Sequence, residues 1–283
     1  MKLAYRFFGI LPLHGASAMG GFLGRTIGPW LKRDKVARKN IKRAIPGIDD
    51  NQINKIIGEM WDNLGRVFGE FPHMGKLDKE DYKMITTVEG VEHIENAKRG
   101  GRGSIFFSGH NANWEVAPKT LAIHDCPLAL VYRPGNNPAI DHLIQQTRSY
   151  YQSQSVPKGK QGSRRLVRIL HEAGHVGMLM DQKMNDGMKV NFFGLGAMTA
   201  PAIATLALRF DCPIIPVRVI RVKGPRFKVT IFPPFEIIKT DDHEADVLAI
   251  MTRINAILES WISENPGQWI WVHNRWPKDS DIV

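Results

Sequence analysis

Cysteine is nearly absent from this 283-residue chain. Only Cys126 and Cys212 occur, each directly before a proline and beside an apolar run, and they form no C-x-x-C pair. That speaks against a disulfide framework or a zinc knuckle and fits a reduced compartment, with both thiols as small buried residues at strand starts. Acidic residues are scarce too: 28 Asp+Glu face 38 Lys+Arg, a formal net charge of +10. Such a chain attracts polyanions, whether nucleic acid, anionic lipid headgroups or an acidic protein. A basic stripe with interleaved aromatics and a helix-turn-helix are both missing, so no nucleic-acid partner is expected. There is no internal repeat and no low-complexity tract.

The N-terminus lacks charge in a more pointed way. Residues 7–24, FFGILPLHGASAMGGFLG, hold no Asp, Glu, Lys or Arg, but they do hold five glycines, Pro12 and His14. The length is about that of a bilayer span, while the hydrophobicity is weak. No convincing small-residue cleavage site follows, which speaks against a signal peptide. Arg6, Arg25, Lys32 and Arg33 flank the stretch and KRDKVARKNIKR covers 32–43. Residues 1–33 therefore read as a membrane-associated helical segment lying in or dipping into an anionic leaflet. A buried helical hairpin is the alternative.

What is present is a globular composition, 43% hydrophobic and 23% charged, enough for a large core. In NQINKIIGEMWDNLGRVFGEF, the residues Ile53, Ile56, Ile57, Met60, Trp61, Leu64, Val67 and Phe68 recur at helical spacing, with Asp49-Asp50 as a cap. From about residue 84 strands and helices alternate: MITTVEG, GSIFFSG, PLALVYRP, HVGMLMDQ, PIIPVRVIRV and RFKVTIFPPFEI read as strands. NWEVAPKTLAIH, NPAIDHLIQQTRSYYQ, GSRRLVRILHEAG and TAPAIATLALRFD read as helices, and a long helix fills 243–264. The fold class is α/β, a central, mostly parallel sheet covered by helices. After 1–33, a main domain over 34–283 divides into a helical layer 34–75, an α/β core 84–240, and a C-terminal helix and tail 241–283.

One junction stands out. The buried strand SIFFSG runs into HNANWE, so His110 sits just past a strand's C-terminal end, where sites gather in α/β sheets. Glu115 falls near the first turn of the next helix. An imidazole, with an unperturbed pKa of about 6.5, can take a proton from a hydroxyl. A neighbouring carboxylate can fix its tautomer and stabilise the imidazolium. No serine or cysteine here is set up as a nucleophile, so the natural chemistry is direct attack by an acceptor alcohol on an activated acyl group. Asn111, Asn113 and the backbone N–H groups of the GHNAN turn can stabilise an oxyanion or simply cap the helix.

His110 and Glu115 form an H-x4-E box. Together with VARKNIKRAIPG, NLGRVFGEF, YRPGNNPAIDHLIQQTR, MDQ, VNFFG, ALRFDCPIIPV and NPGQWIWVHNRW, the chain resembles, over nearly its whole length, the bacterial lipid A biosynthesis acyltransferases of the lysophospholipid acyltransferase superfamily. Glutamate rather than aspartate at the second box position favours that branch. The resemblance implies a glycerolipid-acyltransferase-like fold and an O-acyltransferase at the cytoplasmic face of the bacterial inner membrane. It implies no cofactor: an acyl thioester on acyl carrier protein, or on coenzyme A, is a co-substrate. The acceptor it implies is a hydroxyl of a phosphorylated lipid A precursor, with a lysophospholipid or other glycolipid as the alternative, and the partners are acyl carrier protein and anionic membrane lipid. The family's catalytic pair maps onto His110 and Glu115, and its substrate-binding arginine and aspartate onto Arg148 and Asp181. Asn113 and Arg133 are further substrate-binding candidates. Arg148 suits a phosphate clamp, and Asp181 can orient Arg148 or bind the acceptor.

Two other features remain. KGKQGSRR, 158–165, opens a helix and can hold a phosphate or lie as a solvated loop. HEAGH, 171–175, matches a zinc-protease pattern, but Gly174 reads as a helix end, so the two histidines do not share a helical face and no metal site is expected.

Overall fold

The computed structural model describes residues 2–135 and 137–277. The final part of the expected tail, 278–283, and Asn136 of the GNNP stretch lie outside the described residues.

The chain opens with four helices, α1 (Lys2–Ile10), α2 (Leu13–Ile27), α3 (Lys32–Ala44) and α4 (Asp50–Met74). Asp49 caps α4 as expected: its side chain accepts from the Gln52 N–H while the Gln52 side chain accepts from the Asp49 N–H. The glycines of α2 explain its weak hydrophobicity. A Cβ on Gly20 would strike the Gly65 carbonyl oxygen of α4, and one on Gly24 would strike that of Trp61. Small residues here let two helix backbones approach more closely than side chains permit. Large apolar groups point the other way: Phe7, Ile10, Phe22, Ile27 and Trp30 are exposed. Among the described residues no helix is long and apolar enough to cross a membrane.

The remainder alternates as its periodicity predicts: α5 (Lys79–Ile85), β1 (Thr86–Glu89), α6 (Val91–Arg99), β2 (Ser104–Ser108), α7 (Val116–Ile123), β3 (Ala129–Tyr132), α8 (Pro138–Ser149), β4 (Gln154–Pro157), α9 (Lys160–His171) and β5 (His175–Leu179). Then come β6 (Met188–Phe192), β7 (Leu195–Thr199), α10 (Ala202–Phe210), β8 (Ile214–Lys223), β9 (Arg226–Ile231) and α11 (His243–Glu264). Seven strands form one sheet in the order β1-β9-β8-β2-β5-β3-β4, parallel at every pairing except β8 with β9. Side chains of β2 alternate between two cores. Ile105 and Phe107 join α4 and α11 on one face, and Phe106 joins α5, α6 and α7 on the other.

Three expectations need correction. Met84 and Ile85 belong to α5, not to a strand, because Asp78 caps a helical turn that buries Tyr82 and Ile85. β4 is an edge strand too short and polar to announce itself. The segment around VNFFG is a β6–β7 hairpin turned by Phe193 and Gly194, both at positive φ. His171 ends α9 and His175 begins β5, so the two histidines of HEAGH belong to different elements.

Candidate active site

Strands β2 and β5 are parallel neighbours with Ser108 opposite Leu179. Two residues beyond each lie His110 and Asp181, so register alone brings them together. His110 Nδ1 donates to Asp181 Oδ1 at 2.7 Å, and the His110 N–H donates to Oδ2, also at 2.7 Å. Trp269 Nε1 donates to the same Oδ2 at 2.6 Å. Burial alone would raise the Asp181 carboxyl, but the His110 imidazole and these donors outweigh it and hold Asp181 well below the ordinary carboxylate range. Asp181 thus fixes the tautomer in which Nε2 of His110 is left to accept a proton.

That corrects the expected role of Glu115. Its carboxylate is taken by Arg148, with Nη2 to Oε1 at 2.6 Å and Nε to Oε2 at 3.1 Å, and by the Tyr151 hydroxyl at 2.6 Å. Burial works against ionisation of Glu115, yet the Arg148 guanidinium beside it pulls the carboxyl below its usual value. Asp181 does not orient Arg148; both its oxygens are occupied elsewhere. Arg148 keeps one buried nitrogen, Nη1, without a hydrogen-bond partner, so one nitrogen, not the whole fork, is left for a ligand.

Asn113 is also corrected. Its amide donates to Glu70 Oε2 at 2.9 Å and its carbonyl oxygen accepts from the Glu115 N–H. Glu70 is fully buried and is also paired with Arg221 and Ser17. Asn113 therefore ties the turn to α4. The turn is strained: Ala112, fully buried, has φ +49, a left-handed conformation that costs a non-glycine residue about 1–2 kcal/mol. It is gripped on both sides, its N–H donating to Gln268 O and its carbonyl accepting from Asn63. Strain of this kind persists only where the surroundings over-determine it.

His110 and Gln182 line a cavity of about 310 Å³ whose rim carries Arg133, Lys158 and Gly159. Burial and then the neighbouring Arg133 push the Lys158 ammonium down, as expected where two cations face one space. Trp114, packed edge-on against His110 with ring centroids 5.1 Å apart, lines this cavity and also a second one of about 240 Å³. The second is almost wholly apolar, walled by Tyr5, Phe8, Val67, Phe68 and Phe71, and it reaches α1. The structure thus places His110, Arg133, Arg148 and Glu115 along two cavities that share Trp114 and Arg148, with Asp181 behind His110 and Asn113 turned to Glu70.

A profile of the bacterial lipid A biosynthesis acyltransferase family matches residues 3–278. The chain belongs to that family. It is 26% identical over 265 residues to the lipid A biosynthesis palmitoleoyltransferase of Escherichia coli strain K12, covering 90% of this chain and 83% of that protein. It is 23% identical over 273 residues to the lipid A biosynthesis lauroyltransferase of the same strain, with 94% and 86% covered. A lipid A biosynthesis acyltransferase of Haemophilus influenzae is 23% identical over 269 residues, with 93% and 81% covered. Among solved structures, the 1-acyl-sn-glycerophosphate acyltransferase PlsC of Thermotoga maritima overlaps 90% of this chain and 96% of its own at a TM-score of 0.42 and 13% identity, too distant a likeness to carry an argument.

Several residues of this lipid A acyltransferase family member escape sequence reasoning. Tyr151 completes the Glu115 site, Trp269 and His273 come from the tail, and Gln182 stands between His110 and His273. Gln182 lies in the MDQ motif, and Trp269 and His273 in the closing NPGQWIWVHNRW; Tyr151 lies in neither.

Proposed function

We propose that the protein is a membrane-bound O-acyltransferase that moves a fatty acyl group from an acyl thioester to a hydroxyl of a lipid A precursor, with His110 as general base. The observation that carries the reading is the junction at Trp114. A cavity with a basic rim and His110 at its wall meets an apolar cavity beside exposed apolar helices. A phosphorylated sugar suits the first and an acyl chain the second. The names of the relatives supply the acceptor class. In the reaction the acceptor O–H gives its proton to His110 Nε2 and its oxygen attacks the thioester carbonyl carbon. Collapse of the oxyanion breaks the C–S bond, and the leaving thiolate takes the proton back from His110. Asp181 keeps the base in its tautomer, and Glu115 keeps Arg148 in place. No cofactor is required beyond the thioester co-substrate.

The donor in this reading is acyl carrier protein, whose acidity suits the formal charge of +10, with coenzyme A as the alternative. The location is the cytoplasmic face of the bacterial inner membrane. There α1 and α2 lie in the interface with Phe7, Phe22 and Trp30 toward lipid, and the lysines and arginines of α3 meet anionic headgroups. The test uses purified protein in detergent with acyl-loaded carrier protein and a tetra-acylated lipid A precursor, followed by mass spectrometry. Transfer by the wild type, reduced about 10²–10⁴-fold in His110→Ala, is expected. Equal turnover by the variant removes the general-base role, and transfer only to a lysophospholipid, or only from coenzyme A, replaces the corresponding substrate.

A further inference from the structure

Acyl transfer needs a donor for the oxyanion, and the turn beside His110 has few to give. The N–H of His110 goes to Asp181, that of Ala112 to Gln268, and those of Glu115 and Val116 to Asn113. The Asn113 amide goes to Glu70. Gln182, the residue after Asp181, lines the same cavity as His110. Its Nε2 lies 3.2 Å from His110 Nε2 and 3.2 Å from His273 Nε2. In the neutral imidazole that donates Nδ1 to Asp181, Nε2 is an acceptor, and the Gln182 atom that faces it is the amide nitrogen. An amide nitrogen carries two hydrogens, one for each ring. His273 suits the second: burial first, and the nearby His110 next, lower it to about 4, so its ring is neutral near pH 7 and can accept.

We propose that the Gln182 side-chain amide is the oxyanion donor of the acyl transfer, held in place by His273. The assignment rests on the acyl-transfer reading above. In the resting protein one Gln182 hydrogen occupies the base nitrogen of His110. An arriving acceptor hydroxyl takes that place, since its own proton must go to Nε2. The displaced hydrogen is then within a hydrogen-bond length of the reacting carbonyl. As the acceptor oxygen bonds to the carbonyl carbon, the carbonyl π pair moves to oxygen and the amide hydrogen meets it. When the C=O re-forms, the C–S bond breaks and the thiolate recovers the proton from His110. Gln182 gains and loses nothing. His273 touches no reacting atom in this scheme; it is a positioning residue that keeps the amide from following the acceptor out of the site.

The test is steady-state kinetics of Gln182→Met, which keeps the volume and deletes the donor, and of Gln182→Glu, which puts an acceptor where the oxyanion forms. Melting temperatures serve as a check on folding. Both variants are expected to lose about 10²–10³-fold in kcat while the KM of each substrate changes little. His273→Phe should lose less than either, again in kcat. If the wild type transfers acyl groups and Gln182→Met stays within about threefold of its kcat, or loses only in KM, the assignment is overturned. Absence of transfer by the wild type from any donor would instead remove the acyl-transfer reading, and this assignment with it.

Discussion

Two buried carboxylates flank the turn after β2, and they are wired to opposite walls of the site. Asp181, on the wall built by β5 and the tail, holds an imidazole and an indole. Glu115, on the wall built by α7 and α8, holds a guanidinium and a phenol. Each is almost wholly buried and each is kept below its ordinary pKa. Asp181 sets the tautomer of His110, while Glu115 neutralises a buried cation. Nearness in sequence misleads here: the carboxylate five residues from His110 serves Arg148, and the one that serves His110 is 71 residues away.

The difference should show first in catalysis. Asp181→Asn leaves the shape but can present the wrong group to Nδ1, so turnover should fall by about 10²–10⁴-fold with modest change in melting temperature. If Asp181→Asn retains activity while Glu115→Gln abolishes it without unfolding the protein, the two roles are reversed. Glu115→Gln should instead be dominated by stability, costing about 3–5 kcal/mol because it strands the Arg148 charge, read by denaturant unfolding. Acid should act in the same direction. Both carboxylates contribute stability that is present above an unfolded pKa of about 4 and is lost as pH falls through their lower folded values. Unfolding measured from pH 5 downward should therefore show a shallower slope in Glu115→Gln than in the wild type.

Next in size is the helical layer. Gly65→Val drives a side chain into the Gly20 carbonyl and should cost about 1–3 kcal/mol, loosening α2 and weakening flotation with anionic vesicles. An unchanged melting temperature would mean that α2 and α4 do not pack this closely. The smallest effect is expected at the rim. Lys158→Ala should raise the KM for a phosphorylated acceptor by a factor that corresponds to about 1 kcal/mol, with kcat unchanged, and should leave an unphosphorylated acceptor unaffected.

Much of the fold was legible because its signals are local. The cap at Asp49, the apolar period of α4, and Asn137 with Pro138 at the start of α8 each declare themselves within a few residues. The hairpin of β6 and β7 did not, since its two-residue turn begins with Phe193 where asparagine is the usual sign. At the site, position past a strand end picked out His110, and resemblance supplied Asp181 and Arg148. Who pairs with whom was illegible, because it depends on β2 lying beside β5 and on a tail threading back. Asn113 was misread for the same reason: its partner, Glu70, is buried on a distant helix. The glycines of residues 7–24 were read as weak hydrophobicity, and their service to α4 shows only once the two helices are side by side.

The tail has a consequence in time. Ala112 is held by Gln268, Asn111 bridges to Trp269, Asp181 is clamped by the Trp269 indole, and Gln182 meets His273. Each of these ties comes from residues that leave the ribosome only after every strand of the sheet has been made. A nascent chain stopped after α11 would hold His110 and Asp181 on adjacent strands with the turn between them tied only to α4, through Asn63 and Glu70. Translation therefore delivers the scaffold first and the ties that fix His110 and Asp181 last, when the tryptophan-rich stretch winds back to the ends of β2 and β5.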